Sequence, residues 1–217
     1  MKAVALTRYL PVSDPDAFID VTLEMPVPQG RDILVQVAAV AVNPVDTKVR
    51  APKDKVEETP RVLGWDASGT VVAMGPDATL FKPGDAVYYA GDITRQGSNQ
   101  EYQLVDERIV GHKPKSLSHA QAAALPLTTI TAYESFFKRL GIDRDGGDAG
   151  QSVLIIGGAG GVGSIAIQLA KRAGLTVIAT ASRPETGAWV KDLGADHVVT
   201  HREPMVPQVR ALGFEHV

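Results

Sequence analysis

The sequence predicts an all-β domain followed by an α/β domain built on a parallel sheet. Three observations predict it. Up to about Lys115 the chain consists of short β-rich runs broken by turn signals such as "KPGD" at 82–85. At Ser118 its character changes to helix. From Ser152 strand and helix alternate, the rhythm of a parallel sheet covered by helices. The expected domains are therefore residues 1–117 and 118–217.

The elements follow in order. Met1–Leu6, Ile19–Glu24 and Ile33–Val42 read as strands, the last two separated by "PVPQGRD". Gly69–Met74, Ala86–Tyr89 and Tyr102–Asp106 complete a barrel-like or sandwich set. Ser118 and Gln121 have capping-box spacing ahead of "AQAAAL". A second helix is expected from about Thr129 to Leu140, with Tyr133, Phe136 and Phe137 on its apolar side. After the polar loop Asp143–Gly150 come a strand at Ser152–Gly157, a helix at Gly161–Ala173 and a strand at Thr176–Ala181. A helix at Pro184–Leu193 and a strand at Asp196–Thr200 close the series.

Composition narrows the function classes. The 217 residues carry a net charge of −3, which argues against sequence-independent nucleic-acid binding. No apolar run reaches the length of a membrane span, and the N-terminus lacks the apolar stretch of an export signal, so a cytoplasmic protein is expected. There is no cysteine, which removes disulfides, thiol nucleophiles and cysteine-ligated zinc. The five histidines show no metalloprotease spacing. His197 and His201 are four apart on what reads as strand, too far apart for one metal, and are taken as surface residues.

The chemistry is concentrated in "LIIGGAGGVGS", Leu154 to Ser164. Gly158-x-Gly160-x-x-Gly163 follows a strand, opens a helix and lies in a unit that returns to strand at Thr176, the context a dinucleotide fingerprint requires. One glycine permits the sharp turn, one lets the backbone approach a pyrophosphate, and the last lets helix and strand pack closely. The N–H groups of Gly161 and Val162 are expected to face the anion, aided by the helix dipole. At the end of the next strand an NAD site usually places a carboxylate for the ribose 2′-hydroxyl. Here Ser182 and Arg183 occupy that place, and a hydroxyl with a guanidinium suits a 2′-phosphate, so NADPH is the expected cofactor. Ser182 also fits a capping box with Glu185, and Arg183 also fits a solvated surface residue.

"LGWDASGTVVAMG", "FKPGDAVYYAG", "EYQLVD", "LPLTTITAYESF" and "VLIIGGAGGVGSIAIQLAK" together resemble the medium-chain dehydrogenase/reductase superfamily, in its zinc-free quinone oxidoreductase-like branch. The resemblance implies a GroES-like N-terminal catalytic domain, a Rossmann doubly wound parallel sheet, an active site in the cleft between them, and a homodimer. Where the family's zinc enzymes carry Gly-His-Glu this chain has Gly64-Trp65-Asp66, and Asn43 takes the place of a cysteine ligand, so no metal is expected.

Without a Lewis acid, the substrates implied are those that need little carbonyl polarisation, quinones and α,β-unsaturated carbonyls (enones). By matched position, Asn43 corresponds to an active-site asparagine, Tyr89 to a cleft-facing tyrosine and Thr131 to a threonine near the nicotinamide. Asn43-Pro44 with Asp46 equally suits a helix cap, Tyr89 a core position, and Thr131 an ordinary helix residue. Lys48 departs from the tyrosine frequent there. The family pattern expects a fourth Rossmann strand to begin at about Val217, so the sheet is expected to be truncated. Two functions fit: an NADPH-dependent oxidoreductase that transfers hydride to a quinone or enone, and a catalytically incomplete NADP(H)-binding fragment or redox-sensing module.

Overall fold

The structure, a computed structural model, describes residues 1–216. The chain divides into two compact units, Met1–Leu127 and the residues from Thr128 onward.

The first unit is antiparallel β. One sheet has the order β2-β1-β4, from β1 (Lys2–Tyr9), β2 (Ile19–Thr22) and β4 (Lys53–Val62). The other has the order β7-β3-β5-β6-β8, from β3 (Asp32–Ala41), β5 (Asp66–Met74), β6 (Ala86–Tyr89), β7 (Tyr102–Asp106) and β8 (Val110–His112). Its core is the inward set Ile33, Val35, Ala67, Val71, Val87, Tyr89 and Val105, spaced mostly by two, as one buried face of a strand demands. A second core gathers Leu6, Tyr9, Leu63 and Trp65 against Val45 and Val49 of α1 (Pro44–Arg50).

β4 was not foreseen because "KDKVEETPRV" is a polar, mostly exposed edge strand that pairs irregularly with β1. β8 is only three residues long. The unit also runs past the boundary expected at 117, because α2 (His119–Ala123) packs on β3 and β5 and its Ala122 and Ala123 are buried. The Ser118–Gln121 capping box forms as expected.

The second unit is a three-stranded parallel sheet of order β11-β10-β9, from β9 (Ser152–Ile155), β10 (Thr176–Thr180) and β11 (His197–Val199). That is the first half of a doubly wound sheet. α4 (Gly161–Arg172) and α5 (Pro184–Asp192) contribute Ile167, Ala170 and Val190 to a core with Val177 and Ala179. α6 (Met205–Ala211), not foreseen, places Val209 against Ile178 and Val199. The fourth strand expected at about Val217 lies outside the described residues.

The single helix expected from Thr129 to Leu140 is instead α3 (Pro126–Tyr133) followed by a π-helical turn, Glu134–Arg139. The Ser135 hydroxyl donates to the Thr131 carbonyl at 2.7 Å, and the N–H of Leu140 reaches back five residues to Ser135. A serine that takes a backbone acceptor in this way loosens the four-residue ladder. Among the described residues no helix is long and apolar enough to cross a membrane.

Glu107, fully buried, ties the loop after β5 to the barrel. One carboxylate oxygen pairs with Arg31 at 2.7 Å, and the other accepts from the N–H groups of Thr79 and Leu80. Glu107→Ala leaves those two donors without an acceptor and is expected to cost about 2–4 kcal/mol, read as a lower midpoint in chemical denaturation.

Candidate functional site

β9 ends and α4 begins within a few residues, so the chain must turn sharply. Gly157 takes the turn with φ +72°, a left-handed conformation that side chains disfavour. The side chain and backbone of buried Thr180, at the end of β10, hold it. Thr180 Oγ1 accepts from Gly157 N at 2.7 Å, and its carbonyl accepts from Gly158 N at 3.1 Å. Gly158 lies against β10 and α5, where a Cβ would sit 2.8 Å from Ala179 Cβ and 3.2 Å from Val190 Cγ1. Gly163 is tightest, since a Cβ there would sit 2.3 Å from the Gly157 carbonyl oxygen. The expected close packing of helix on strand is thus present at the last glycine of the fingerprint, while the turn itself falls on Gly157, one residue before it.

Gly160 is the N-cap of α4, and its N–H is already engaged with the Gly157 carbonyl. Gly161 and Val162 are the first two residues of the helix, whose N–H groups have no carbonyl one turn back to bind. Both residues are exposed. They are the donors the sequence assigned to a pyrophosphate, and the loop geometry fits that ligand: a glycine cradle with N–H groups at a helix N-terminus.

Beside the loop is a cavity of about 250 Å³ lined by Gly157, Gly160, Ser182, Arg183, His201 and Arg202, among others. Ser182 and Arg183 are therefore brought next to the glycine loop. The cap role weighed for Ser182 does not hold: Pro184 occupies the first turn of α5, so Arg183 is the N-cap and exchanges hydrogen bonds with Thr186. The Ser182 hydroxyl instead lies 3.0 and 3.1 Å from the two ring nitrogens of His201, and Thr200 Oγ1 donates to it at 3.3 Å. Arg183 is exposed and pairs with Glu185 at 2.7 Å. An exposed pair of this kind is worth at most about 1 kcal/mol, little hindrance to a phosphate competing for the guanidinium.

His201 and Arg202 were missed as site residues. No motif marks them; what places them here is the parallel pairing that sets the end of β11 beside the end of β10. Thr128 was missed too, and its Cγ2 lies 3.0 Å from where a Gly161 Cβ would be. Thr131, one turn further along α3, is exposed.

The other candidates lie in the first unit. Asn43 is the N-cap of α1 and is 7% exposed. Its N–H donates to Asp46 Oδ2 at 2.7 Å, so the capping role is real. Its side-chain Nδ2 donates to Asp66 Oδ2 at 2.9 Å, while Asp66 Oδ1 accepts from Leu127 N at 2.8 Å. Asp66 is fully buried, and that burial outweighs both hydrogen bonds and pushes its pKa up to about 6, with the Asp46 charge adding to the rise. Since the carboxyl of an unfolded chain ionises near its ordinary value of about 3.9, this group's contribution to stability falls as pH rises from there to about 6.

Tyr89 does not face a cleft. It is 2% exposed, packs in the β-core, and donates through its hydroxyl to buried Gln103 at 2.9 Å. Burial raises its pKa, so it holds its proton and serves as a core hydrogen-bond donor.

The donors at the positions matched to zinc ligands do not fit the metal. Trp65 offers an indole N–H, which cannot ligate, and the Asn43 amide nitrogen is turned to Asp66. Among the described residues no three His, Cys, Asp or Glu side chains gather as a metal site would need.

Comparison with known proteins agrees with this architecture. Residues 29–126 match the family model of the alcohol dehydrogenase GroES-like domain, and residues 161–215 match that of the zinc-binding dehydrogenases. A zinc-type alcohol dehydrogenase-like protein of Staphylococcus aureus is 52% identical over 211 residues, which make up 97% of this chain and 62% of that protein. The structure of a quinone oxidoreductase from Coxiella burnetii matches with a TM-score of 0.80 at 32% identity, over 96% of this chain and 65% of that one. That of an NAD-dependent alcohol dehydrogenase matches with a TM-score of 0.83 at 32% identity, over 98% and 68%. The chain thus spans a little under two thirds of the length of that curated relative.

The glycine cradle makes a direct prediction. Gly163→Ala is expected to lower the thermal midpoint and to weaken nucleotide binding at least tenfold, because its Cβ meets backbone that cannot yield. Gly187→Ala, within α5 where a Cβ meets nothing within 4 Å, is expected to be neutral or to stabilise by about 0.5–1 kcal/mol.

Proposed function

The chain belongs to the medium-chain dehydrogenase/reductase superfamily, and on that premise we propose that its protein is an NADPH-dependent, metal-independent reductase of quinones or enones. The observation that carries the cofactor assignment is the cavity beside the glycine loop, which gathers Ser182, Arg183, His201 and Arg202 where an NAD enzyme would place a carboxylate. Two guanidinium groups, a hydroxyl and an imidazole suit the charge and hydrogen-bonding needs of a 2′-phosphate.

When bound, NADPH supplies a hydride to the electrophilic carbon of the substrate. The chain's own residues do the rest. The N–H groups of Gly161 and Val162 hold the pyrophosphate, and the residues of the cavity hold the 2′-phosphate. Thr131 lies on the nicotinamide side. Turned with its nitrogen away from Asp66, the Asn43 amide donates to the substrate oxygen on which negative charge develops; for a quinone or an enone that charge is delocalised, so a neutral amide suffices without a metal. Tyr89 takes no part. A quinone oxidoreductase among the solved structures similar to this chain supports the substrate class. The cytoplasm is the proposed compartment.

The test is steady-state oxidation of NADPH and of NADH by the whole protein, with a quinone and an enone as acceptors. NADPH is expected to be preferred by at least tenfold in kcat/KM. Arg183→Ala is expected to raise the KM for NADPH about ten- to a hundredfold and to leave that for NADH nearly unchanged. Equal use of both cofactors would overturn the 2′-phosphate assignment, and no turnover with either acceptor would overturn the substrate class.

A further inference from the structure

Asp66 is a fully buried carboxyl whose hydrogen-bonding neighbours include Asn43 Nδ2 at 2.9 Å and Leu127 N at 2.8 Å. The two are not equivalent. A backbone N–H can only donate, so Oδ1 must accept from Leu127 whatever the charge of the carboxyl. An asparagine amide can present either its nitrogen or its oxygen. An ionised carboxylate only accepts, so it requires the nitrogen. A protonated carboxyl must carry its hydrogen on Oδ2, because Oδ1 is taken, and it then donates and requires the oxygen.

We infer that Asp66 is a positioning residue whose protonation sets which edge of the Asn43 amide, donor or acceptor, is turned inward, and so which is turned away. The inference rests on the reading of Asn43 as the group that meets the substrate. One proton taken up at Oδ2 is matched by a half-turn of the amide about its last side-chain bond. The backbone of Asn43 need not follow, because the N–H to Asp46 and the carbonyl that accepts from Asp46 N both belong to the main chain.

The titratable groups near Asp66 come from α1, β6 and α2. From α1, Asp46 faces it as a like charge and is itself raised by burial. On β3 its register partner is Ala41, which has no titratable group. On β6, Tyr89 pairs with the next residue along β5 and keeps its proton. From α2, His119 is held 2.8 Å from Ser68, two residues along the same face of β5, and its pKa is lowered. Burial brings the transition of Asp66 to about pH 6.

Asp66→Asn is the decisive variant. The introduced side chain must accept from Leu127 with its oxygen, so its nitrogen faces Asn43 and fixes Asn43 as the protonated carboxyl would. In the whole protein labelled with ¹⁵N on asparagine, with Asn43→Ala used to assign the signal, the Asn43 side-chain NH₂ resonance is expected to shift with a midpoint near pH 6. In Asp66→Asn it is expected to sit at its acid-limb position at every pH. A parent signal that does not move between pH 5 and 7.5, or one that still moves in the variant, overturns the inference. The pH profile of kcat separates it from the reading of Asn43. A break near pH 6 in the parent, with a flat profile at the acid-limb value in Asp66→Asn, supports both. A resonance that behaves as stated with no break in kcat upholds the positioning by Asp66 and removes Asn43 from turnover.

Discussion

The cofactor seat depends on one close approach, that of Gly163 at the start of α4 to the carbonyl of Gly157 at the end of β9. A Cβ at Gly163 would sit 2.3 Å from that oxygen, so hydrogen is the only substituent the position admits. With the approach made, α4 starts directly beyond the strand and its first N–H groups are left open where an anion can reach them. Thr180 locks the same turn from the neighbouring strand. The loop is thereby coupled to the end of β10, which also carries Ser182 and Arg183, and through the β10–β11 pairing to His201 and Arg202. Steric permission at one glycine thus sets the geometry of a site made from three strand ends.

The first unit solves a different problem, that of keeping carboxyl groups inside a β structure. Glu107 satisfies its charge fully, with an arginine and two backbone donors, and works as a structural tie. Asp66 accepts from an amide and a backbone donor, but its burial outweighs both bonds and its ionised form is disfavoured. A buried carboxyl that holds its proton this firmly is poorly suited to adding stability at neutral pH. Its contact with Asn43, at the start of α1, gives it a role in orienting an amide instead.

Much of this was legible in the sequence. The parallel strands β9, β10 and β11 and the helices between them announce themselves through apolar runs, turn residues and the glycine fingerprint, and they fall within a few residues of the expected bounds. What was hidden has physical reasons. β4 is polar and edge-exposed, so it has no alternation to read. The π turn arises from a single serine hydroxyl taking a backbone acceptor, which no periodicity reports. Tyr89 has the right spacing for either a cleft or a core, and its burial, with its hydroxyl donating to Gln103 from a strand it does not pair with, decides for the core. His201 and Arg202 join the site through sheet order, a property of the fold and not of any local run.

The central claim is that Ser182, Arg183, His201 and Arg202 hold the 2′-phosphate of NADPH, and phosphorus NMR of the bound cofactor tests it most directly. Free in solution, the 2′-phosphate takes up a proton near pH 6, as phosphate monoesters do. Held by two guanidinium groups it should stay dianionic, so the account predicts that its resonance shifts on binding and no longer titrates between pH 5 and 7.5, and that Arg183→Ala restores part of the titration. A bound-cofactor resonance that titrates as it does in free solution would contradict the account.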